Sequence, residues 1–188
     1  MNPFETSKNA LGMVEWNSLA LGIFAADAML KTADIELLYA NSICPGKYIC
    51  VVRGSVAAVR AAVEAGKNAA PIALVDDMVI PNLHPDVFPA INALTKADKV
   101  QAVGVIEVFS AASALLAADK AAKTANITLL SIRIATGLGG KSYIVLTGEV
   151  AAVRSAVEAG AESAREKGLL VSKTVIADPE PRLFEKLN

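Results

Sequence analysis

The sequence predicts an α+β chain built from two tandem copies of one β-α-β-β-α-β unit. Two observations carry this: long segments recur at a nearly constant displacement, and each copy passes through the same succession of strand and helix patterns. Ala10-Leu-Gly-Met-Val-Glu15 returns as Ala102-Val-Gly-Val-Ile-Glu107, and Ala25-Ala-Asp-Ala-Met-Leu-Lys-Thr-Ala33 returns as Ala117-Ala-Asp-Lys-Ala-Ala-Lys-Thr-Ala125, both displaced by 92 positions. Val56-Ala-Ala-Val-Arg-Ala-Ala-Val-Glu-Ala-Gly66 matches Val150-Ala-Ala-Val-Arg-Ser-Ala-Val-Glu-Ala-Gly160, now displaced by 94. Two residues were therefore inserted between these blocks. They fall between Leu38/Leu130 and Gly46/Gly140, so that Ser42 to Lys47 in the first copy faces Ile134 to Lys141 in the second.

The elements follow in order. Ser18 and Ser110 are N-cap residues, whose side-chain oxygens can accept from the first free helical N–H groups. In the helices they open, Asp27/Lys31 and Asp119/Lys123 stand four apart in the favourable acid-first order. Ile35 to Tyr39 and Ile127 to Ile132 are strands, as are Tyr48 to Arg53 and Ser142 to Thr147, all rich in Ile, Val, Leu and Tyr. A second helix follows in each copy. Val56, Val59 and Val63 form an apolar stripe at i, i+3, i+7, with Arg60, Glu64 and Lys67 on another face, and Val150, Val153 and Val157 repeat it. Ala73 to Ile80 and Leu169 to Ile176 close each copy as strands. This is the ferredoxin-like supersecondary unit, twice. The expected layout is an extension at 1–9, a first domain at 10–92, a linker at 93–101 and a second domain at 102–188, with a Pro-bearing connector from Pro81 to Asp98.

Composition narrows the function classes. Of 188 residues, 54 % are hydrophobic and 20 % charged, which excludes a disordered chain. Lys and Arg number 18 against 19 Asp and Glu, with no basic block, so no nucleic-acid partner is expected. The longest weakly polar stretch, Val108 to Ala118, is too short to span a bilayer, which takes roughly 20 apolar residues, and is expected as a buried helix. No membrane partner and no secretory leader are expected, which places the protein in the cytoplasm. Cys44 and Cys50 are too few for a disulfide framework.

Gly12-Met-Val-Glu15, Ala26-Asp-Ala-Met-Leu-Lys-Thr-Ala33, Arg53-Gly54 before the Val-Ala-Ala-Val helix, and the closing Val79-Ile-Pro81 resemble a bacterial microcompartment shell domain. There are two, in unpermuted order, and the resemblance covers almost the whole chain. It implies a non-enzymatic protein of the microcompartment shell in the bacterial cytoplasm. It further implies a homotrimer shaped as a pseudohexamer with a central pore, tiling a facet beside other shell proteins, with Lys31 and Lys123 at tile edges. Both copies depart from the family's closing motif: Val79-Ile-Pro-Asn-Leu-His84 and Val175-Ile-Ala-Asp-Pro-Glu180 lack its edge arginine.

Two loops resemble more narrowly the tandem-domain shell protein of propanediol-utilisation compartments: Ser42-Ile-Cys-Pro-Gly-Lys47 and Gly137-Leu-Gly-Gly-Lys141. In that protein the cysteine of Ile-Cys-Pro-Gly sits at the trimer axis, where three copies bind one iron-sulfur cluster. Carried over, the residue is Cys44, and the cofactor a 4Fe-4S cluster, one per trimer, with three Cys44 ligands and an open fourth position. Ser42, Ile43, Cys44, Pro45, Gly46, Gly137, Leu138, Gly139 and Gly140 would line the pore. Such a cluster suits electron transfer across the shell, with redox enzymes inside as partners. A cyclic trimer does bring an axial residue of every chain to one point. Pro45 restricts the residue before it and Gly46 permits a turn closed to other residues, so the thiol can be aimed.

Other residues carry blander readings. Cys50 stands opposite Ile144 in the repeat and is expected to be packed. Gly137 to Lys141 lacks P-loop spacing. His84, the single histidine, is expected as a surface connector residue, and Glu15 and Glu107 as structural positions. Two rival functions stand beside the leading one: an open metabolite pore without metal, and, more weakly, a ferredoxin-like enzyme or small-ligand regulatory domain.

Overall fold

The computed structural model describes residues 9–97, 100–135 and 137–184. Its contacts divide the chain into two compact units at Leu83/His84, earlier than the boundary at 92 expected from the repeat.

In the first unit, β1 (Ala10–Trp16), α1 (Leu19–Thr32), β2 (Glu36–Ile43), β3 (Lys47–Gly54), α2 (Val56–Ala69) and β4 (Leu74–Ile80) appear in the expected order. The strands form one antiparallel sheet, β2-β3-β1-β4. Ser18 caps α1 by accepting from the Leu21 amide, and Ser55 caps α2 by accepting from Ala58. The two helices pack on the sheet around Val14, Trp16, Met29, Val52, Val59 and Val63, all sealed from water.

The second unit repeats the plan with β5 (Ala102–Val108), α4 (Ala111–Thr124), β6 (Ile127–Arg133), β7 (Ser142–Gly148), α5 (Val150–Arg165) and β8 (Leu170–Ala177). Its sheet order is β6-β7-β5-β8. The reason the Gly of each first strand recurs is contact distance. A Cβ on Gly104 would lie 2.5 Å from Val157 Cγ2, and one on Gly12 2.7 Å from Val59 Cγ1, so the second helix of each copy sits directly on bare backbone.

Several elements differ from expectation. The stretch from Val108 to Ala118 is not one buried helix. Val108 ends β5, Phe109 is exposed, and the helix starts at Ala111, because Ser110 caps it by accepting from Ser113. β2 runs on to Ile43 instead of ending at Tyr39, since Ser42 pairs with Tyr48 and Ile43 with Lys47. The connector holds a short helix, α3 (Val87–Ile91), with Val87, Phe88, Ala90 and Ile91 buried, and α3 belongs to the second unit. A last turn of helix, α6 (Pro181–Phe184), follows β8.

Candidate functional site

The candidate site is the hairpin loop between the second and third strand of each copy. In the first copy the ladder continues to Ile43↔Lys47, so only Cys44, Pro45 and Gly46 remain to make the turn. The Cys44–Pro45 peptide bond is cis, and Gly46 has φ +70°, a conformation that L side chains rarely adopt. A substituent on Gly46 would meet open space, so its requirement is conformational and not steric. Ile43 is buried beneath the turn, while the Cys44 thiol is free and partly exposed at its tip.

The second copy stops pairing at Arg133↔Tyr143. Its longer loop takes three glycines at positive φ, Gly137, Gly139 and Gly140, while Ile134 and Ala135 stay buried. The loop is tied at its base by Ser142, whose hydroxyl accepts from the Ala135 amide at 3.2 Å, and at its tip by the Lys141 amide on Leu138 O at 3.2 Å.

A pair of ion pairs missed by sequence reasoning fixes where both loops leave the sheet. Lys47 Nζ bonds Glu15 Oε1 at 2.5 Å, with Glu15 buried, and Lys141 Nζ bonds Glu107 Oε1 at 2.6 Å. The structural reading of Glu15 and Glu107 thus gains a definite job: each carboxylate, at the end of the first strand, clamps the lysine that follows the loop. The signal was present. Both copies carry a glutamate closing the first strand and a lysine directly after the loop glycine.

The two cysteines have opposite surroundings. Cys50 is fully buried in β3, paired across to Val14 and Ala40, and burial pushes its thiol up to about 12. The same thiolate, were it to form, would oppose ionisation of Tyr48, which burial chiefly and Cys50 secondarily raise. Among the described residues no group of three or more His, Cys, Asp or Glu side chains could hold a metal ion within one chain. Cys44 therefore fits a metal cluster only as one donor among several chains. The three-residue turn leaves its thiol partly exposed.

A prediction follows from the contrast. Alkylation of the native iron-free chain at about pH 8 should modify Cys44 and spare Cys50. An unfolded thiol ionises near its ordinary value of 9.0, whereas folded Cys50 keeps its proton to about 12. The folded state then holds the extra proton, so stability is complete below pH 9.0 and falls as pH rises toward 12. Urea unfolding across that range should show this loss, and Cys50→Val should diminish it.

The other predicted residues divide. Lys31 is exposed and, among the described residues, pairs along its own helix with Asp27 at 2.6 Å. Lys123 makes the same pair with Asp119 at 2.7 Å, but Asp119 is largely buried and its other oxygen accepts from the His84 amide at 2.8 Å. Lys123 thus belongs to the joint that holds α3, a duty Lys31 lacks. His84 does lie on the connector, and its Nδ1 accepts from the Asp86 amide at 3.4 Å. No helix of the described residues is long and apolar enough to cross a membrane.

Known proteins match this architecture in both copies. The family model described as BMC domain matches residues 10–83 and 102–179. The bacterial microcompartment shell protein PduT of Citrobacter freundii is 45 % identical over 178 residues, 95 % of this chain and 97 % of that protein. The shell protein PduA of the same organism is 43 % identical over 84 residues, 43 % of this chain but 88 % of that protein, so one copy here is close to a whole protein there. The crystal structure of a microcompartments protein from Desulfitobacterium hafniense DCB superposes with a TM-score of 0.91 at 51 % identity, over 94 % of this chain and 98 % of that one. With both repeats matched and their order unpermuted, the chain belongs to the BMC domain family, that of the bacterial microcompartment shell proteins, and carries two of its domains in tandem.

Proposed function

We propose that the chain is a structural tile of a bacterial microcompartment shell, working as a homotrimeric pseudohexamer whose three-fold axis carries an iron-sulfur cluster on Cys44. The observation that carries the axial assignment is the asymmetry of the loops. The copies share every strand and both long helices but differ at this turn, where the first presents a partly exposed thiol and the second is built on Gly137, Leu138, Gly139 and Gly140 with no cysteine. A ring of three chains supplies three thiolates from one cysteine, and iron-sulfur clusters take thiolate ligands. A 4Fe-4S cluster held by three cysteines keeps one iron open to water or an exogenous ligand, which suits a redox site facing the pore. Residues 42–46 and 137–140 would surround it. Electrons would then pass between the shell's two sides to redox enzymes within.

The likeness to shell proteins supports the tile, since these proteins are named for the shell and not for a reaction. The tile would contact other shell proteins at its edges through Lys31. Electron microscopy tests this. Purified chain at high concentration should form flat sheets, and Lys31→Glu should abolish them while leaving the trimer intact, because an exposed charge change costs only about 0.5 kcal/mol of stability. Sheets that survive the reversal would remove Lys31 from the edge. Lys123→Glu is not an equivalent probe, since it places a second acid beside Asp119. The rival reading, an open metabolite pore, draws on the three glycines of the second loop, which present no side chains to a passing solute. Colourless, iron-free protein from an anaerobic preparation would favour it.

A further inference from the structure

The two copies agree in sequence but not in what covers their first helix. In the second unit, α3 packs against α4 and β6, and on those elements Ala111, Leu115 and Leu129 are 1 %, 0 % and 0 % exposed. Their counterparts on α1 and β2 are Leu19, Ile23 and Leu37, which stand 49 %, 51 % and 44 % exposed beside an exposed Phe24. Four large apolar side chains exposed on two elements in contact, where the second copy buries the equivalents of three of them, mark a contact surface.

The sequence after the last strand supplies an occupant. Beyond Val79-Ile80 the chain reads His84-Pro-Asp-Val-Phe-Pro-Ala-Ile-Asn92, and beyond Val175-Ile176 it reads Glu180-Pro-Arg-Leu-Phe-Glu-Lys-Leu-Asn188, in ungapped register. Proline, the aliphatic-Phe pair, the second aliphatic and the final asparagine all recur. The backbone repeats too: Val87 donates to His84 O at 3.1 Å, and Leu183 to Glu180 O at 3.0 Å. Yet Val87 is fully buried, whereas its equivalent Leu183 is 50 % exposed. The next residue, Phe184, is already anchored, packed against Val103, Leu130 and Val145 of its own unit. The acceptor that holds the first strap also has its twin: Asp119 takes the His84 amide, and Asp27, an aspartate at the equivalent position, is exposed on α1.

We infer that residues 178–184 form a strap that crosses to a second copy of this chain and covers the α1/β2 face of its first domain, as α3 covers α4 and β6. Leu183 takes the place of Val87 over Ile23, and Asp27 of the receiving chain accepts from the Glu180 amide. This contact is head-to-tail, and with the three-fold rotation of the trimeric reading it repeats around a ring and closes on the third chain. It rests on the trimeric reading and names the segment and the face that join one protomer to the next.

The test replaces Leu183 by a photo-reactive p-benzoylphenylalanine and mixes heavy-isotope with light chains before irradiation. Mixed-isotope crosslinks from position 183 into peptides spanning residues 19–37 are expected. Crosslinks confined to the same chain, or landing elsewhere on a partner within a sedimenting trimer, would overturn the strap while leaving the ring standing. Leu183→Asp and Ile23→Asp provide a second line. Both positions are exposed in the single chain, so either variant should fold, yet each should weaken assembly by about tenfold or more and speed hydrogen exchange in α1 and β2. Unchanged assembly in both variants would also overturn it. Wild-type protein that stays monomeric would instead fail the ring reading itself.

Discussion

Protein carrying Cys44→Ser, purified without oxygen, is expected to contain no iron and to lack the broad visible absorption of an iron-sulfur cluster, whereas Cys50→Val retains both. The effect should be complete and not partial. At a three-fold axis a single substitution removes every protein ligand at once, and serine oxygen is a poor substitute for the thiolate that these clusters require. The trimer should persist, since the equivalent loop of the second copy closes around glycines without any cysteine. Cys50 offers no alternative donor: it is sealed inside β3 with its proton held to about 12. Iron bound equally by the serine variant would remove Cys44 from the cluster, and iron lost from the Cys50 variant alone would assign the wrong thiol.

The second large effect is expected at Asp119. One carboxylate oxygen accepts from the His84 amide and the other from Lys123, at 2.8 and 2.7 Å. Asp119→Ala deletes both bonds and leaves the part-buried His84 N–H, at the start of the segment leading to α3, without this acceptor. Charge-assisted hydrogen bonds contribute more than neutral ones, and the part-buried donor loses its acceptor, so a loss of about 1.5–3 kcal/mol is expected. Asp119→Asn keeps an oxygen for the His84 amide and should lose less than half as much. Urea unfolding distinguishes the two. An alanine variant as stable as the parent would show that the joint is idle, and an asparagine variant as damaged as the alanine one would shift the weight to the Lys123 ion pair.

These two sites also mark how far the sequence could be followed. The repeat made all eight long strands and four long helices legible, because each is patterned locally: a capping serine, a valine stripe, a β-branched run. Cys50 was legible as a packed residue for the same reason, its partner position in the repeat being Ile144. Asp27 and Asp119 were not distinguishable. They occupy the same place in the same helix beside the same lysine, and differ only because α3 lies over one of them, a tertiary fact absent from either segment. α3 itself was hidden in a connector punctuated by Pro81, Pro85 and Pro89, where helix signals are weak. The Glu15–Lys47 and Glu107–Lys141 clamps joined residues far apart in sequence, and only strand pairing brings them together. The loop was placed correctly by the repeat, but its tightness came from two further ladder pairs, Ser42↔Tyr48 and Ile43↔Lys47, that propensity does not reveal.

The strap, the axial thiols and the tile edge all presuppose one arrangement of chains. Sedimentation equilibrium of the wild-type protein at micromolar concentration tests it most directly. A single species of three times the 19.5 kDa chain mass is predicted, because two domains of a six-membered ring must meet three times to close it. A stable monomer at that concentration would contradict the account, since neither the pore nor a three-cysteine site exists within one chain.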